Sequence, residues 1–377
     1  MPSVIQKNKS GSFWRKALIA VLYIVGSLVV AELFYRNFWQ EPPKTEVVYG
    51  NHPVFHHVPK SFLVGGLGEY DMRGTRYSLD KEPGTQRLVF LGDSFTYGFT
   101  LPEQTVPYHL ESLLKSRFPG MKFEVLNFGF VSYSPLIEEV VYRELVSPLK
   151  PDLVILLYDT FDPQDDVLYA KSATFDDRGV PLAVAGEDFL KVGLRRSALV
   201  RFVETSIEII RNGWNLLPVE QRFESRIKYL TEPQTFQWVI DDSFKIVGRL
   251  GGQVQADGAR FLLFQYPPPH LLQDLSEFKE FLAGWGVDHA HWIPPKSSAF
   301  APMVLNFCAQ AKLSCYDFGP KVRQMEEDLG PKGSRQDIYN NRDGHFTGKA
   351  NAVFARFILE KLQETGFPTS PNPAPAP

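Results

Sequence analysis

The stretch RLVFLGDSFTYG, residues 87–98, decides the fold of this chain. Its first half is a short apolar run typical of a buried strand, and its second half turns to glycine, aspartate and serine before helix-like sequence. A strand that ends in such a turn places Ser94 at its carboxyl end, the edge where open α/β sheets carry out their chemistry. The stretch therefore predicts an α/β fold with a functional serine.

Four further apolar runs have the length of strands, and helix-like sequence separates them. Strands of a parallel sheet are covered on both faces, so they read as continuous apolar runs rather than alternating ones. The alternation predicts an α/β fold with a central parallel five-stranded sheet covered by helices on both faces. The predicted strands are 87–92, 123–128, 152–158, 260–267 and 313–318, and the predicted helices are 105–117, 135–147, 235–256, 299–312 and about 348–364.

An apolar segment at 17–35 follows a basic leader at 1–16 and contains a single acid, Glu32. A segment of this length is about what a helix needs to cross a bilayer. Lysine and arginine on its short amino-terminal side predict a cytoplasmic start and an exported body. We expect a single-pass anchor in the cytoplasmic membrane, with the main domain in the periplasm. A signal peptide cleaved after Ala31 is the alternative, and it exports the rest of the chain equally.

The remaining segments differ from the predicted sheet in composition. Residues 36–80 contain paired prolines and three histidines and are typical of a stalk or irregular lead-in. The interval 164–234 is too long for a simple crossover and predicts an insertion with a hairpin or loop near 176–179; a lid and a peripheral insert both stay open. Residues 366–377 are proline-rich and predict disorder. We expect the main domain to span 81–365.

Charge and composition exclude several functions. The formal net charge is −3 although the leader carries no acid, so the body is acidic and gives no support to nucleic-acid binding. We expect no cofactor and no metal. The aspartates between 159 and 166 lack the glycine of a calcium loop, and they either anchor the predicted catalytic turn or form a solvated loop.

Cys308 and Cys315 predict a disulfide or two small core residues, and we favour the second interpretation.

The sequence DGHFT at 343–347 supplies partners for Ser94. A serine hydroxyl is a weak nucleophile unless a base removes its proton. An imidazole such as that of His345 suits this task, and a carboxylate such as that of Asp343 fixes its tautomer and stabilises the imidazolium. The loop before the last helix and the turn after the first strand can meet at one edge of the sheet. We therefore predict a triad of Ser94, His345 and Asp343.

Three motifs in this order, GDSFTYG at 92–98, Asn127-Phe128-Gly129 and the paired Asp343 and His345, resemble those of the SGNH (GDSL-like) hydrolase superfamily, in its membrane-anchored bacterial type. The resemblance implies a flavodoxin-like three-layer fold and hydrolysis or transfer of ester-linked acyl groups. It also implies an oxyanion hole formed by the amides of Ser94 and Gly129, with Asn127 as a further donor.

The chain departs from the family's pattern in two places. The family's aspartate often stands three residues before the histidine, where this chain has Arg342, and the other departure is at the oxyanion hole. An asparagine that donates to the oxyanion usually stands after the third strand, where this chain has Phe161. Losing one such donor typically costs about 10²–10³ in turnover. We expect an extracytoplasmic serine esterase that acts on acyl esters of envelope glycans or lipids. The alternatives are an O-acyltransferase on the same scaffold and a non-catalytic polysaccharide-binding or assembly module.

Overall fold

The computed structural model describes residues 49–60, 69–186, 233–267, 299–329, 337–340 and 344–368, with scattered positions between 18 and 30. The chain divides into two units, 1–47 with 187–218 and 48–186 with 219–377. In the first unit the described positions are helical, and their apolar side chains are exposed. Among the described residues, no helix is both long enough and apolar enough to span a bilayer.

The second unit is built on a parallel five-stranded sheet, as the sequence predicts. The strands of this unit are β1 (Tyr49–His52), β2 (His56–Pro59), β3 (Thr85–Gly92), β4 (Lys122–Asn127), β5 (Leu153–Asp159), β6 (Ala173–Phe175), β7 (Pro181–Val184), β8 (Arg260–Tyr266) and β9 (Ser314–Asp317). The large sheet has the order β4-β3-β5-β8-β9, and all its pairs are parallel. This is the 2-1-3-4-5 order of flavodoxin-like sheets, which places a crevice where β3 meets its neighbours.

Helices lie between the strands close to the predicted positions. They are α1 (Ser94–Tyr97), α2 (Val106–Arg117), α3 (Pro135–Val141), α4 (Asp162–Tyr169), α5 (Gln237–Ala256), α6 (Phe300–Ala311), α7 (Gly319–Leu329) and α8 (Gly348–Glu364). A π-helical turn, Tyr142–Val146, continues α3. The helix-like sequence after the serine turn is present as the short α1. The predicted helices do not include α4 or α7, because each is too short or too polar to show a clear apolar period.

Helices cover both faces of the sheet. Leu88 and Phe90 of β3 pack in one cluster with Leu110 of α2 and Phe354 of α8. Val89, which points to the opposite face, is also fully buried. A strand that buries successive residues in this way has no solvated face, which is why its sequence shows no alternation.

Residues 49–59, expected within an irregular lead-in, instead form the antiparallel hairpin β1–β2. The hairpin lies on the loop that follows β4: His57 Nε2 is 2.5 Å from the Val131 carbonyl, and the Tyr133 hydroxyl donates to the His57 carbonyl at 2.7 Å. His57 is buried, and burial lowers its pKa to about 4. The hairpin is held by these distant contacts, which local sequence does not reveal.

The start of the predicted insertion is described. The expected hairpin is present as β6–β7, and Val184 of β7 pairs with Phe55 beside the first hairpin. Arg143 donates to the carbonyls of Pro181 and Leu182 at 2.6 and 2.8 Å. Residues 187–232 lie outside the described residues, and so do 369–377 of the proline-rich tail.

The two cysteines form a disulfide, with Cα atoms 6.1 Å apart. The interpretation as two separate small core residues is therefore wrong. Helix α6 ends at Ala311, and Lys312 takes a left-handed conformation with φ of 56°. This reversal sends the chain back along the helix end, so that Cys315 in β9 meets Cys308.

Candidate active site

Ser94 stands at the first position of α1, directly after the end of β3. Asp93 caps the helix, because its Oδ1 accepts from the Phe95 amide at 2.9 Å. Gly92 has φ of 146°, and a Cβ at this position would lie 2.1 Å from Thr96 Oγ1 and 2.9 Å from the Leu157 carbonyl. Only glycine, which has no Cβ, allows the end of β3 to lie this close to α1 and β5. The turn therefore presents the half-buried Ser94 at the carboxyl edge of the sheet.

The structure brings His345 to Ser94 from the other end of the domain. Their Nε2 and Oγ atoms are 2.7 Å apart, although 251 positions separate the residues in sequence. With Nε2 unprotonated, the serine hydroxyl donates to it. This is the hydrogen bond required between a nucleophile and its general base.

Two phenylalanine rings hold the imidazole in place. The centroids of Phe95 and Phe99 are 4.7 and 4.5 Å from that of His345. Sequence reasoning did not single out these residues. The available signal was an aromatic pair four positions apart immediately after the nucleophile, and this pattern is also common in ordinary cores.

Asp343 lies outside the described residues, so its role stays a prediction. The flanking positions are described: the Gly344 amide donates to the Asn340 carbonyl at 2.7 Å, and the Asn340 amide donates to the His345 carbonyl at 2.8 Å. Gly344 has φ of 74°. These bonds hold together Asn340, Gly344 and His345, the described residues nearest to position 343.

The predicted oxyanion residues lie beside the nucleophile turn. A Cβ on Gly129 would lie 2.4 Å from the side chain of Thr96, so the loop after β4 passes directly against α1. Asn127 donates from Nδ2 to the Thr96 carbonyl at 2.8 Å, and its Oδ1 accepts from the Gly129 amide at 3.0 Å. Asn127 and the Gly129 amide, two of the three predicted donors, thus already have partners in this structure. Their role towards an oxyanion stays a prediction that requires Gly129 to exchange this bond.

Phe161 is half-buried and directly precedes α4. The neighbouring Thr160 is fully buried, and its Oγ1 accepts from Gln265 Nε2 at 3.2 Å. The Thr160 hydroxyl is therefore held against β8 as an acceptor, and this bond does not use its own hydrogen.

Buried carboxyl groups gather next to this edge of the sheet. The set is Asp93, Glu138, Asp162 and Asp166, which are buried, together with Asp159, which is half-buried. Asp162 Oδ2 accepts from the Asp159 amide at 2.8 Å, and Asp166 Oδ1 accepts from the Leu136 amide at 2.9 Å. The interpretation as a solvated acidic loop is wrong for Asp162 and Asp166. Their hydrogen bonds instead anchor the neighbouring turns.

Burial dominates the electrostatics of this carboxyl cluster. It raises the pKa of Asp166 to about 6, and burial followed by the charge of Asp166 raises the pKa of Glu138 well above its usual value. Burial also raises the pKa of Asp93, against the opposing hydrogen bond from Tyr266 and the charge of His345. Removing a carboxylate from water favours its neutral form, and a like charge nearby adds to this effect. Within the described ranges, no such group of side chains is arranged to hold a metal ion.

Comparisons with known proteins find structures of similar shape at low sequence identity. No protein-family model matches this chain, and no curated protein matches it. The chain is similar to the crystal structure of the acetyl xylan esterase AlAXEase, with 12% identity and a TM-score of 0.43 over 73% of this chain and 99% of that one. It is similar to Axe2, an acetylxylan esterase from Geobacillus stearothermophilus, with 12% identity and a TM-score of 0.40 over 75% and 94%. A likeness at this level identifies neither the family nor the activity.

Proposed function

We propose that this chain is a serine esterase of SGNH type that hydrolyses ester-linked acyl groups through Ser94, His345 and Asp343. The observation that carries the proposal is the 2.7 Å contact between Ser94 Oγ and His345 Nε2. A nucleophile at the end of a central strand, paired with an imidazole from a distant loop, is the arrangement that activates a hydroxyl.

The reaction follows from this pair. Ser94 Oγ attacks the ester carbonyl as His345 Nε2 takes its proton, and the resulting imidazolium then protonates the departing alcohol. Water, deprotonated in turn by His345, attacks the acyl-enzyme and releases the acid. The oxyanion of each tetrahedral intermediate would be held by the amide of Ser94 and by the amide of Gly129, once the latter leaves Asn127 Oδ1. The Nδ2 group of Asn127 would be a third donor.

The proposed location is the outer side of the cytoplasmic membrane. The basic leader, the apolar segment at 17–35 and the exposed apolar side chains described within it support an anchor. The disulfide between Cys308 and Cys315 supports an oxidising compartment. Esters of envelope glycans or lipids are the substrates that this location offers, and nucleic acid is not a proposed partner.

The test is covalent labelling by a fluorophosphonate together with turnover of p-nitrophenyl acetate, both on the full chain in detergent. Wild type should be labelled and should turn the ester over, whereas Ser94→Ala should do neither. Ser112→Ala is the matched control, since Ser112 is an exposed serine on α2 whose hydroxyl donates to the Tyr108 carbonyl of the same helix. Folded wild-type protein without any label would sink the proposal.

Two observations favour alternatives on the same scaffold. Phe161 offers no donor, and the Gly129 amide is bonded to Asn127. An O-acyltransferase would be labelled by the fluorophosphonate yet hydrolyse slowly, and it would speed up when a sugar hydroxyl is added as acceptor. A non-catalytic polysaccharide-binding module would remain unlabelled and would still bind glycans.

A further inference from the structure

Arg73 projects from a tight turn beside the site. Asp71 Oδ1 accepts from the amides of Arg73 and Thr75 at 2.9 and 2.7 Å, and Asp71 Oδ2 accepts from the Asn127 amide at 2.9 Å. The buried carboxylate thus ties this turn to the end of β4. The base of the Arg73 side chain is therefore fixed relative to the sheet.

The guanidinium of Arg73 has no counterion in the described part of the chain. Its Nη2 donates to the Thr100 carbonyl, its Cζ lies 4.4 Å from the centre of the Tyr97 ring, and its Nε is buried without a hydrogen-bond partner. Two other arginines with limited exposure do have carboxylate partners: Arg87 pairs with Glu124, and Arg249 pairs with Glu139. A half-buried charge left without a partner is unfavourable unless something else binds it.

A series of aromatic contacts links this guanidinium to the catalytic pair. Tyr97 is the last residue of α1, the helix that begins with Ser94. The Tyr97 ring is 6.0 Å from that of Phe99, which in turn lies 4.5 Å from the ring of His345. Arg73 is therefore connected to His345 through two aromatic side chains, one of which belongs to the helix that carries Ser94.

We propose that Arg73 binds an anionic oxygen group, a carboxylate or a phosphate, carried by the ester substrate; this rests on the proposed esterase function. Stacking on Tyr97 fixes the plane of the guanidinium. The bond to Thr100 occupies one of its five donors, so the fork can still bind two oxygens of one anion. The substrate class is accordingly an acidic glycan or a phosphate-bearing ester rather than a neutral one.

The experiment compares matched neutral and anionic esters. The first set is O-acetylated methyl glucoside, its uronate and its 6-phosphate, which distinguishes carboxylate from phosphate. The second pair is 4-nitrophenyl succinate and its methyl ester, which places the charge on the acyl side. Wild type should prefer at least one anionic member by about tenfold to a hundredfold in kcat/KM, the range of a charge-assisted hydrogen bond.

The variants separate binding of an anion from simple support of the turn. In Arg73→Gln the anionic-to-neutral ratio should fall to near one, and in Arg73→Lys it should be partly kept, whereas support of the turn alone would lower both substrates equally. Arg76→Gln, an exposed arginine three residues later, should keep the wild-type ratio. The wild-type preference should also weaken as ionic strength rises.

Failure of this proposal is distinguishable from failure of the esterase proposal. Ser94-dependent turnover with equal kcat/KM for every neutral and anionic pair, or a preference that survives Arg73→Gln, would overturn the role of Arg73 alone. If the wild type shows neither turnover nor labelling, the anion site at Arg73 is still testable by binding. Ser94→Ala is then titrated calorimetrically with the acetylated uronate and the acetylated sugar phosphate. Binding at least tenfold tighter than the neutral glucoside supports the anion site, and equal or absent binding overturns it.

Discussion

The hydroxyl of Tyr266 donates to Asp93 Oδ1 at 2.8 Å, and so joins the end of β8 to the residue before the nucleophile. Both residues are buried, and the rings of Tyr266 and Phe95 lie 4.7 Å apart. The turn that presents Ser94 is thus fixed from two strands, its own and β8. The order of the sheet makes this contact possible, since β5 alone separates β3 from β8.

Tyr266→Phe should therefore destabilise the protein and loosen the turn. Asp93 keeps the Phe95 amide but loses its other hydrogen-bond donor, at a cost of about 1–3 kcal/mol in the free energy of unfolding. Urea denaturation measures the free energy of unfolding, and the turnover of p-nitrophenyl acetate reports whether the turn still positions Ser94. Tyr108→Phe, a change at an exposed tyrosine on α2, is the control. An unchanged urea midpoint in Tyr266→Phe would show that the contact contributes nothing.

His345→Gln should lower the turnover of p-nitrophenyl acetate by about a thousandfold or more, since removal of the base leaves only binding and oxyanion stabilisation. Glutamine retains a hydrogen-bonding side chain but cannot accept the proton. Fluorophosphonate labelling should slow in parallel, while near-ultraviolet circular dichroism stays as in wild type. Labelling at the wild-type rate would mean that His345 does not activate Ser94.

Phe161→Asn should raise turnover if the missing amide donor limits the reaction. One oxyanion-hole donor is worth about 10²–10³ in turnover. Because an asparagine introduced at position 161 would not be ideally placed, we expect a smaller gain, of about tenfold. The gain should appear in kcat rather than in KM, because the charge develops in the transition state. Phe175→Asn, at an exposed phenylalanine of β6, serves as the matched change. Equal rates in the two variants would contradict this account of Phe161.

The carboxyl cluster should make the folded state less stable as pH rises. A carboxyl group whose pKa is raised by folding keeps a proton that the unfolded chain has already released. The free energy of unfolding therefore falls from about pH 4, the usual carboxyl range, up to the folded pKa, which for Asp166 is about 6.

Asp166→Asn should flatten this decline, because the amide oxygen still accepts from Leu136 but no longer ionises. Urea titrations at pH 4.5, 6 and 7.5 measure the slope for wild type and variant. Asp241→Asn, on the exposed side of α5, should keep the wild-type slope. A slope in Asp166→Asn as steep as in wild type would exclude Asp166 as a contributor.

The sequence predicts the parallel sheet well because buried parallel strands carry their signal locally. The predicted strand 152–158 is continuous and apolar after Asp152, and β5 spans Leu153–Asp159. The proximity of Ser94 and His345 was also foreseeable, since both follow from where strand ends and loops meet in this topology. Chemistry-bearing residues at sheet edges can thus be found before any coordinates exist.

Contacts between distant segments were not foreseeable. Nothing near His57 in sequence indicates that it bonds to Val131, and nothing near Glu138 indicates that a carboxyl on the first turn of α3 is fully buried. The bond between Asn127 and Gly129 depends on side-chain geometry that a motif does not encode. These features depend on how distant segments pack together, and a short stretch of sequence carries little information about such contacts.

The hairpin β1–β2 determines where a shortened form of this protein can begin. It covers Phe130 and Tyr133, whose rings lie 5.5 and 5.3 Å from that of His57. A protein shortened to begin at residue 81 would expose these aromatic side chains to water and leave the Gly129 loop without its outer support. For the membrane-anchored form proposed above, a soluble fragment that keeps the hairpin therefore has to begin upstream of Tyr49 rather than at residue 81.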